Sequence, residues 1–337
     1  MENKKNVRFS LILFTLCSFF FAVTANEVSA ESSKGLNFSY ENVIPKNQIS
    51  DNSYFELKVK PGDKQTLVTK LTNESDKEVV VQVSVSNATT SSSGIINYGA
   101  NKEKLVGKNN LSINDMIEFP TQVKLKAHET KDLKFKLNIP KKEFEGLILG
   151  GIELKELEKS DDKKAETGAS LKNEYSYVYS VSLKENEEVV TPEFTSSGTD
   201  YEQGAFTTIN NEKSLIASKV KIETTLMGKE TDKVINTFKV EDYRFAPNST
   251  LVLPLNGTEE LPIGDYRTKT TLTMNDQNWT FEGAFKVSKE NQKKKDVFID
   301  ETPEEKKVNW LIIVLVVTSF IGLTVGIFYL LNRKKRD

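Results

Sequence analysis

The sequence predicts an all-β fold: two tandem immunoglobulin-like β-sandwich domains, preceded by an N-terminal signal peptide and followed by one C-terminal transmembrane helix. Three features of the chain lead to this prediction. Apolar residues alternate with polar ones in many short segments, which is the period of a half-buried strand. A continuous apolar run lies near the C-terminus, and a shorter one follows a basic N-terminus.

The N-terminus has the pattern of a secretory signal. Its apolar run from Phe9 to Val23 follows three basic residues, and Val28-Ser29-Ala30 offers small residues at the spacing of a cleavage site. We therefore predict a signal peptide over 1–30. The one cysteine, Cys17, lies inside it, so the mature protein must hold together by core burial without disulfides.

The first predicted domain covers 31–157. From Tyr54 to Lys60 apolar and charged side chains alternate, and Pro61-Gly62-Asp63 then turns the chain. The same alternation returns between Val79 and Val85 and between Leu133 and Ile139. Short alternating segments separated by turn residues predict an antiparallel sandwich.

The second predicted domain covers 171–288. A charged segment at 158–170 has no aromatic residue and is predicted to be a linker between the two domains. Seven alternating segments follow it: Tyr175–Leu183, Phe206–Asn210, Lys219–Leu226, Val234–Val240, Leu251–Leu255, Tyr266–Met274 and Trp279–Val287. This number of strands fits a second sandwich.

The C-terminal part is predicted to anchor the protein in the cell membrane. Residues 289–308 read as a charged stalk, 309–331 as a single-pass helix and 332–337 as a basic cytoplasmic tail. As a helix, the apolar run from Trp310 to Leu331 spans roughly 33 Å, enough to cross a hydrocarbon core of about 30 Å. Because basic residues stay on the cytoplasmic side, we expect everything before the helix outside the cell, in the cell-wall zone.

Charge and residue types argue against several classes of function. The net charge is −2, and removing +1 for 1–30 and +3 for 332–337 leaves −6, which gives no electrostatic reason to expect nucleic acid binding. His128, the only histidine, lies in a polar loop, which argues against a Ser/His/Asp triad. We predict no catalytic residue, no metal ligand and no cofactor. A glycosidase needs only two placed carboxylates, and the sequence leaves that alternative open.

One glycine-rich segment runs from Glu143 to Glu156. Gly146, Gly150 and Gly151 flank an apolar triplet there, and a glycine lets another backbone approach closely. The segment is either a surface for a ligand or partner, or a final core strand with a glycine bulge; the second interpretation is favoured.

Several motifs resemble one known family. In the first half they are Asn42–Gln48, Tyr54–Leu57, Val59–Gly62, Asn87–Thr89, Gly94–Tyr98, Pro140 and the glycine-rich segment. In the second half they are Asn173–Leu183, Ala246–Ser249, Gly264–Tyr266 and Trp279. On these residues the chain is similar to the WxL-interacting proteins, which are cell-surface proteins of low-GC Gram-positive bacteria. The resemblance covers nearly all of the predicted exported part.

The resemblance implies a binding protein and not an enzyme. The first domain would bind peptidoglycan, the second would bind host surface or matrix proteins, and the whole would associate with secreted WxL-domain proteins. The chain has no Trp-x-Leu of its own, so it would be the anchored partner. The candidate contact residues are Asn47, Gln48, Tyr54, Gly146, Gly150, Gly151, Pro247 and Asn248.

Each candidate has a structural alternative, since Asn, Gly and Pro often only shape loops. Two other functions also stay open at this point. One is a wall hydrolase that uses carboxylates, and the other is a purely structural surface stalk.

Overall fold

A computed structural model of the chain describes residues 35–108, 110–157, 175–230 and 233–291. Nearly all of the regular structure is β-strand, which confirms the all-β prediction. The predicted signal peptide, linker, transmembrane helix and tail, and most of the predicted stalk, lie outside the described residues. Within the described ranges, no helix has the length and apolarity needed to cross a membrane.

The chain folds into two compact units. The first comprises the described residues up to Thr195 together with Asn210–Lys219 and Asp242–Leu251. The second comprises Ser196–Ile209, Val220–Glu241 and the described residues from Val252 onward. The predicted division of the β structure into two halves is thus confirmed in outline, while the first unit includes pieces from late in the chain.

The first half of the chain contributes eleven strands and one 3-10 helix at Ile113–Asp115. The strands are β1 Phe38–Val43, β2 Phe55–Lys58, β3 Lys64–Asn73, β4 Val79–Asn87, β5 Thr89–Thr90, β6 Ile96–Asn97, β7 Ile117–Glu118, β8 Gln122–Leu125, β9 Thr130–Asn138, β10 Leu147–Leu157 and β11 Ser176–Lys184. They form one sheet in the order β1-β3-β9-β7, a second in the order β2-β11-β10-β4-β8, and the small hairpin β5-β6.

The core of the first unit lies between its two larger sheets. Alternate residues along each strand are apolar, so each sheet turns one apolar face toward the other. Fully buried side chains come from both sheets, among them Leu67, Leu71, Leu133, Phe135, Phe55, Val81, Ile152 and Val181. Burying one such side chain stabilises the fold by about 1.5–3 kcal/mol.

Strand β11 is an inner strand of the five-stranded sheet. It pairs antiparallel with β10 over nine residues and parallel with β2 over four. Its side chains Tyr179, Val181 and Leu183 are buried in the core. We predicted this segment as part of the second domain, because alternation identifies a strand but not the sheet that it joins.

The second half contributes seven strands: β12 Phe194–Tyr201, β13 Ala205–Asn211, β14 Ala217–Gly228, β15 Val234–Phe245, β16 Thr250–Pro254, β17 Gly264–Met274 and β18 Gln277–Val287. They form sheets in the orders β12-β13-β16 and β15-β14-β17-β18. In the second unit the Phe285 ring stacks on Tyr201 and Tyr266, at centroid distances of 5.8 and 5.3 Å. These rings join residues of both sheets in one small core.

Candidate functional site

The hairpin β5-β6 brings motifs from distant parts of the sequence together. Thr90 Oγ1 lies 2.5 Å from Ser249 Oγ, and it accepts a hydrogen bond from the Ala246 backbone N–H at 3.0 Å. All three residues are buried. The motif at Ala246–Ser249 therefore packs on the hairpin within the first unit.

At Gly94, the loop of the hairpin packs closely against the end of β15. The φ of Gly94 is +72°, a conformation that glycine adopts without strain, and a Cβ there would lie 1.2 Å from the Tyr243 ring. The Tyr243 hydroxyl donates to the Ser92 carbonyl at 3.1 Å, and the Arg244 backbone N–H donates to the Gly94 carbonyl at 2.8 Å. These contacts fix the backbone of Arg244 beside the loop.

The segment after β6 lies on the outer face of β10. A Cβ on Gly151 would lie 1.9 Å from the Tyr98 carbonyl oxygen, so only glycine allows this approach. Further along, the Ala100 N–H donates to Glu153 Oε2 at 2.7 Å. Gly150 and Gly151 thus serve close packing within the chain. The prediction of a strand in this segment is confirmed. The predicted glycine bulge is wrong, because β10 pairs with β11 and β4 in an unbroken register. The prediction that this is the final core strand of the domain is also wrong, because β11 follows it in the same sheet.

Tyr98 lies within electrostatic range of Arg244 and of Tyr54. Burial raises the pKa of Tyr98; the nearby Arg244 guanidinium lowers it and Tyr54 raises it, both to smaller extents. The Tyr54 hydroxyl accepts a hydrogen bond from Asn52 Nδ2 at 2.7 Å. The Arg244 side chain is exposed.

Small residues form the floor between the two tyrosines. Tyr54 directly precedes β2, which pairs with β11, and Gly151 of β10 pairs with Ser180 of β11. Ser180 points away from the core because its neighbours in β11 point into it. A tyrosine ring can pack on the apolar face of a sugar, and hydroxyl groups can bind its polar edge. We call Tyr54, Tyr98, Gly151, Ser180 and Arg244 the tyrosine face.

Asn47 and Gln48, both predicted contact residues, hold the loop before β2. Asn47 Nδ2 donates to the Lys58 carbonyl at 2.9 Å, and Gln48 Nε2 donates to the Tyr54 carbonyl at 2.9 Å. Gln48 Oε1 also accepts from the Glu56 N–H at 3.1 Å. They position Tyr54 through the backbone, and their contact with a ligand stays a prediction.

Pro247, Asn248 and Gly146 lie at a second junction of the first unit. Asn248 is 4% exposed; its side chain accepts from Ser214 Oγ at 2.8 Å and donates to the Glu212 carbonyl at 3.1 Å. A Cβ on Gly146 would lie 2.2 Å from the Ser214 carbonyl oxygen, and Pro247 is buried. These residues join loops, and a role in ligand contact stays a prediction for them too.

Of the predicted contact residues, the structure thus brings Tyr54 and Gly151 together in the tyrosine face. Sequence reasoning did not select Tyr98, Ser180 or Arg244. Tyr98 could have been found as the aromatic end of a recognised motif. Ser180 has no signal in the sequence, because only the pairing of β10 with β11 places it there.

A polar cleft of about 540 Å³ also opens in the first unit. Its lining residues are Lys108, Glu145, Glu188, Val189, Val190, Thr191, Glu193, Thr195, Glu212, Lys213 and Ser214. Lys213 Nζ lies 2.9 Å from Glu193 Oε2, and this hydrogen bond and ion pair lower the pKa of Glu193 and raise that of Lys213. Because Lys213 and Glu193 already neutralise each other, the cleft is a weaker candidate for a ligand-binding site than the tyrosine face.

The described residues offer little for catalysis or metal binding. His128 lies on an exposed turn, where its Nε2 is 2.9 Å from Asp76 Oδ1. In the ranges that the structure covers, no group of three or more His, Cys, Asp or Glu side chains is arranged to hold a metal ion.

Residues 38–156 match the family model of the WxL Interacting Protein peptidoglycan binding domain, and residues 166–296 match that of the WxL Interacting Protein host binding domain. The chain belongs to the WxL-interacting protein family. The resemblance and the order of the two domains are confirmed. Both family models that match the chain describe binding domains. Notably, β11 falls within the host-binding match but pairs in the first unit.

Solved structures similar to this WxL-interacting protein include fimbrial chaperones. One is the CsuC–CsuE chaperone–adhesin complex of Acinetobacter baumannii, at 13% identity, a TM-score of 0.30, and coverage of 68% of this chain and 95% of that chain. Another is the CupB2 chaperone of Pseudomonas aeruginosa, at 12% identity, a TM-score of 0.26, and coverage of 66% and 92%. No curated protein matches the chain.

Proposed function

We propose that this protein is an exported, membrane-anchored binding protein of the cell surface. Its two immunoglobulin-like sandwiches would bind peptidoglycan and a host surface or matrix protein, and the whole would associate with a WxL-domain protein. The ordered match of both family domains carries the proposal. Export and anchoring rest on the sequence of 1–30 and 309–331.

The tyrosine face is the proposed contact for peptidoglycan. It lies on the first unit, which contains the whole segment that matches the peptidoglycan binding model. Tyr54 and Tyr98 are each partly exposed, so a sugar ring can reach them, and packing in the unit limits their freedom before binding. An aromatic ring that is already held loses little entropy when a ligand covers it.

Co-sedimentation with purified peptidoglycan sacculi tests this proposal. The full chain, purified in detergent, should pellet with sacculi, and a variant with both Tyr54→Ala and Tyr98→Ala should pellet much less. Tyr175→Ala is the matched control, because Tyr175 is 45% exposed in the same unit but outside the face. Thermal melting of each variant separates lost binding from lost folding. If the wild-type chain stays in the supernatant, the peptidoglycan role is wrong.

The partner roles need a separate experiment. A purified WxL domain from the same organism should be retained on the immobilised chain, and the complex should pellet more strongly with sacculi than either protein alone. Release of reducing ends from peptidoglycan, abolished by one Asp or Glu substitution, would instead favour a hydrolase. Absence of any retained WxL domain would contradict the scaffold role while leaving the wall contact intact.

A further inference from the structure

Arg244 is unusual in this chain because nearly all other cations are lysines. Between the predicted signal peptide and the predicted tail, arginine occurs only at Arg244 and Arg267. A guanidinium presents a planar fork of N–H donors that matches a carboxylate, which an ammonium group does not. An exposed arginine held against the loop that leads to Tyr98 therefore offers a donor pattern suited to a carboxylate.

The surroundings of Arg244 hold it in place without neutralising it. Its backbone N–H is bonded to Gly94, and the ring of its neighbour Tyr243 packs on the same glycine. Among the residues that the structure describes, no ion pair within 4.0 Å involves its guanidinium. Among the described residues, the guanidinium thus has no carboxylate within 4.0 Å, and Glu153, on the same outer face of β10, is bonded to the Ala100 backbone N–H instead.

The two family domains meet at this residue. Arg244 lies in the segment that matches the host binding domain, whereas Tyr54 and Tyr98 lie in the segment that matches the peptidoglycan binding domain. All three belong to the first compact unit. The surface that carries the tyrosines is therefore completed by a cation from late in the chain.

We propose that Arg244 binds a free carboxylate of a peptidoglycan stem peptide while the two tyrosines pack on the adjoining sugar. The proposal rests on the proposed function of the tyrosine face and names the chemical group that this face selects. Stem peptides end in carboxylates, and a guanidinium that has no ion-pair partner among the described residues can bind one of them through two N–H groups. An amidated stem peptide would lose the charge-assisted hydrogen bonds and should bind less tightly.

The experiment compares two soluble muropeptides, one with free stem-peptide carboxylates and one with those groups amidated. The full chain in detergent should bind the free form about five- to tenfold more tightly, the range expected for a partly exposed charge-assisted contact. Arg244→Gln should bind both forms equally and weakly. Arg244→Lys keeps the charge but not the fork, and should retain only part of the preference.

Lys221→Gln serves as the matched control, because it removes one exposed positive charge outside the tyrosine face. It should leave the preference unchanged. The Arg244 variants keep the backbone bond to Gly94, so their melting temperatures should match that of the wild-type chain.

Three results would overturn the proposal. The first is a chain that pellets with sacculi but binds the free and amidated muropeptides equally well. The second is an Arg244→Gln variant that keeps the full preference. The third is competition by a phosphodiester polymer that depends on Arg244, with no effect of amidation, which would assign the residue to phosphate. In each case sacculus binding would still support the peptidoglycan role, so failure of this inference and failure of the proposed function are distinguishable.

Discussion

Substitution of Leu183 by alanine tests whether β11 truly belongs to the sheet of the first unit. Leu183 is 0% exposed and pairs with Ile148 of β10 on one side and Leu57 of β2 on the other. Truncating a fully buried leucine costs about 2–5 kcal/mol, from lost burial and from the cavity that remains. At the lower end, this raises the population of the opened first unit about 30-fold.

Native-state hydrogen exchange, read by mass spectrometry of peptides, localises the effect. Peptides from β10 and β2 in the Leu183→Ala chain should exchange at least about 30-fold faster, while peptides from β17 should be unchanged. Val178→Ala is the control, because Val178 lies in the same strand but is 41% exposed. Faster exchange in β17 with full protection in β10 would refute the assignment of β11 to this sheet.

Three further predictions follow from single features. Gly151→Ala should lower the melting temperature by several degrees, because a Cβ 1.9 Å from the Tyr98 carbonyl forces a shift that costs about 1–3 kcal/mol. Calorimetry would show it, and an unchanged transition would contradict the close approach. Burial raises the pKa of Tyr179, so the folded chain favours its neutral phenol and should lose stability as the pH rises above about 10. Circular dichroism during alkaline titration should show a smaller loss for Tyr179→Phe than for the wild-type chain; equal losses would count against this. Deletion of 309–337 should move the protein from the membrane fraction to the soluble fraction, and retention in the membrane would contradict the predicted anchor.

The sequence predicted the strands far better than their partners. Alternation located β2, β9 and β18, because a half-buried strand must place apolar residues at every second position. The same rule found β11 and could not say that it would lie between β2 and β10. Sheet order depends on contacts between residues far apart in the chain, and a local period contains no information about them.

The site was predictable only in part, for a related reason. Tyr54 stood out as an amphipathic residue in a recognised motif, and Gly151 as a place where a backbone approaches closely. Arg244 joins them because a hydrogen bond to Gly94 holds β15 against the hairpin. That long-range contact has no local signature. The Asn248 side chain is hydrogen-bonded to Ser214 and Glu212 inside the protein, and its contact with a ligand stays a prediction.

The discontinuity of the first unit has a consequence for the order in which the protein folds during synthesis. Its last segment ends at Leu251, so the unit stays incomplete until roughly 95 residues beyond β10 have been made. At about 5–20 residues per second, this delay is roughly 5–20 s. Early in that time, until Lys184 has been made roughly 27 residues after the end of β10, the flanks of β2 and β10 lack β11, and open edges of this kind recruit other chains. Slow synthesis of this part of the chain should therefore favour aggregates of its N-terminal half.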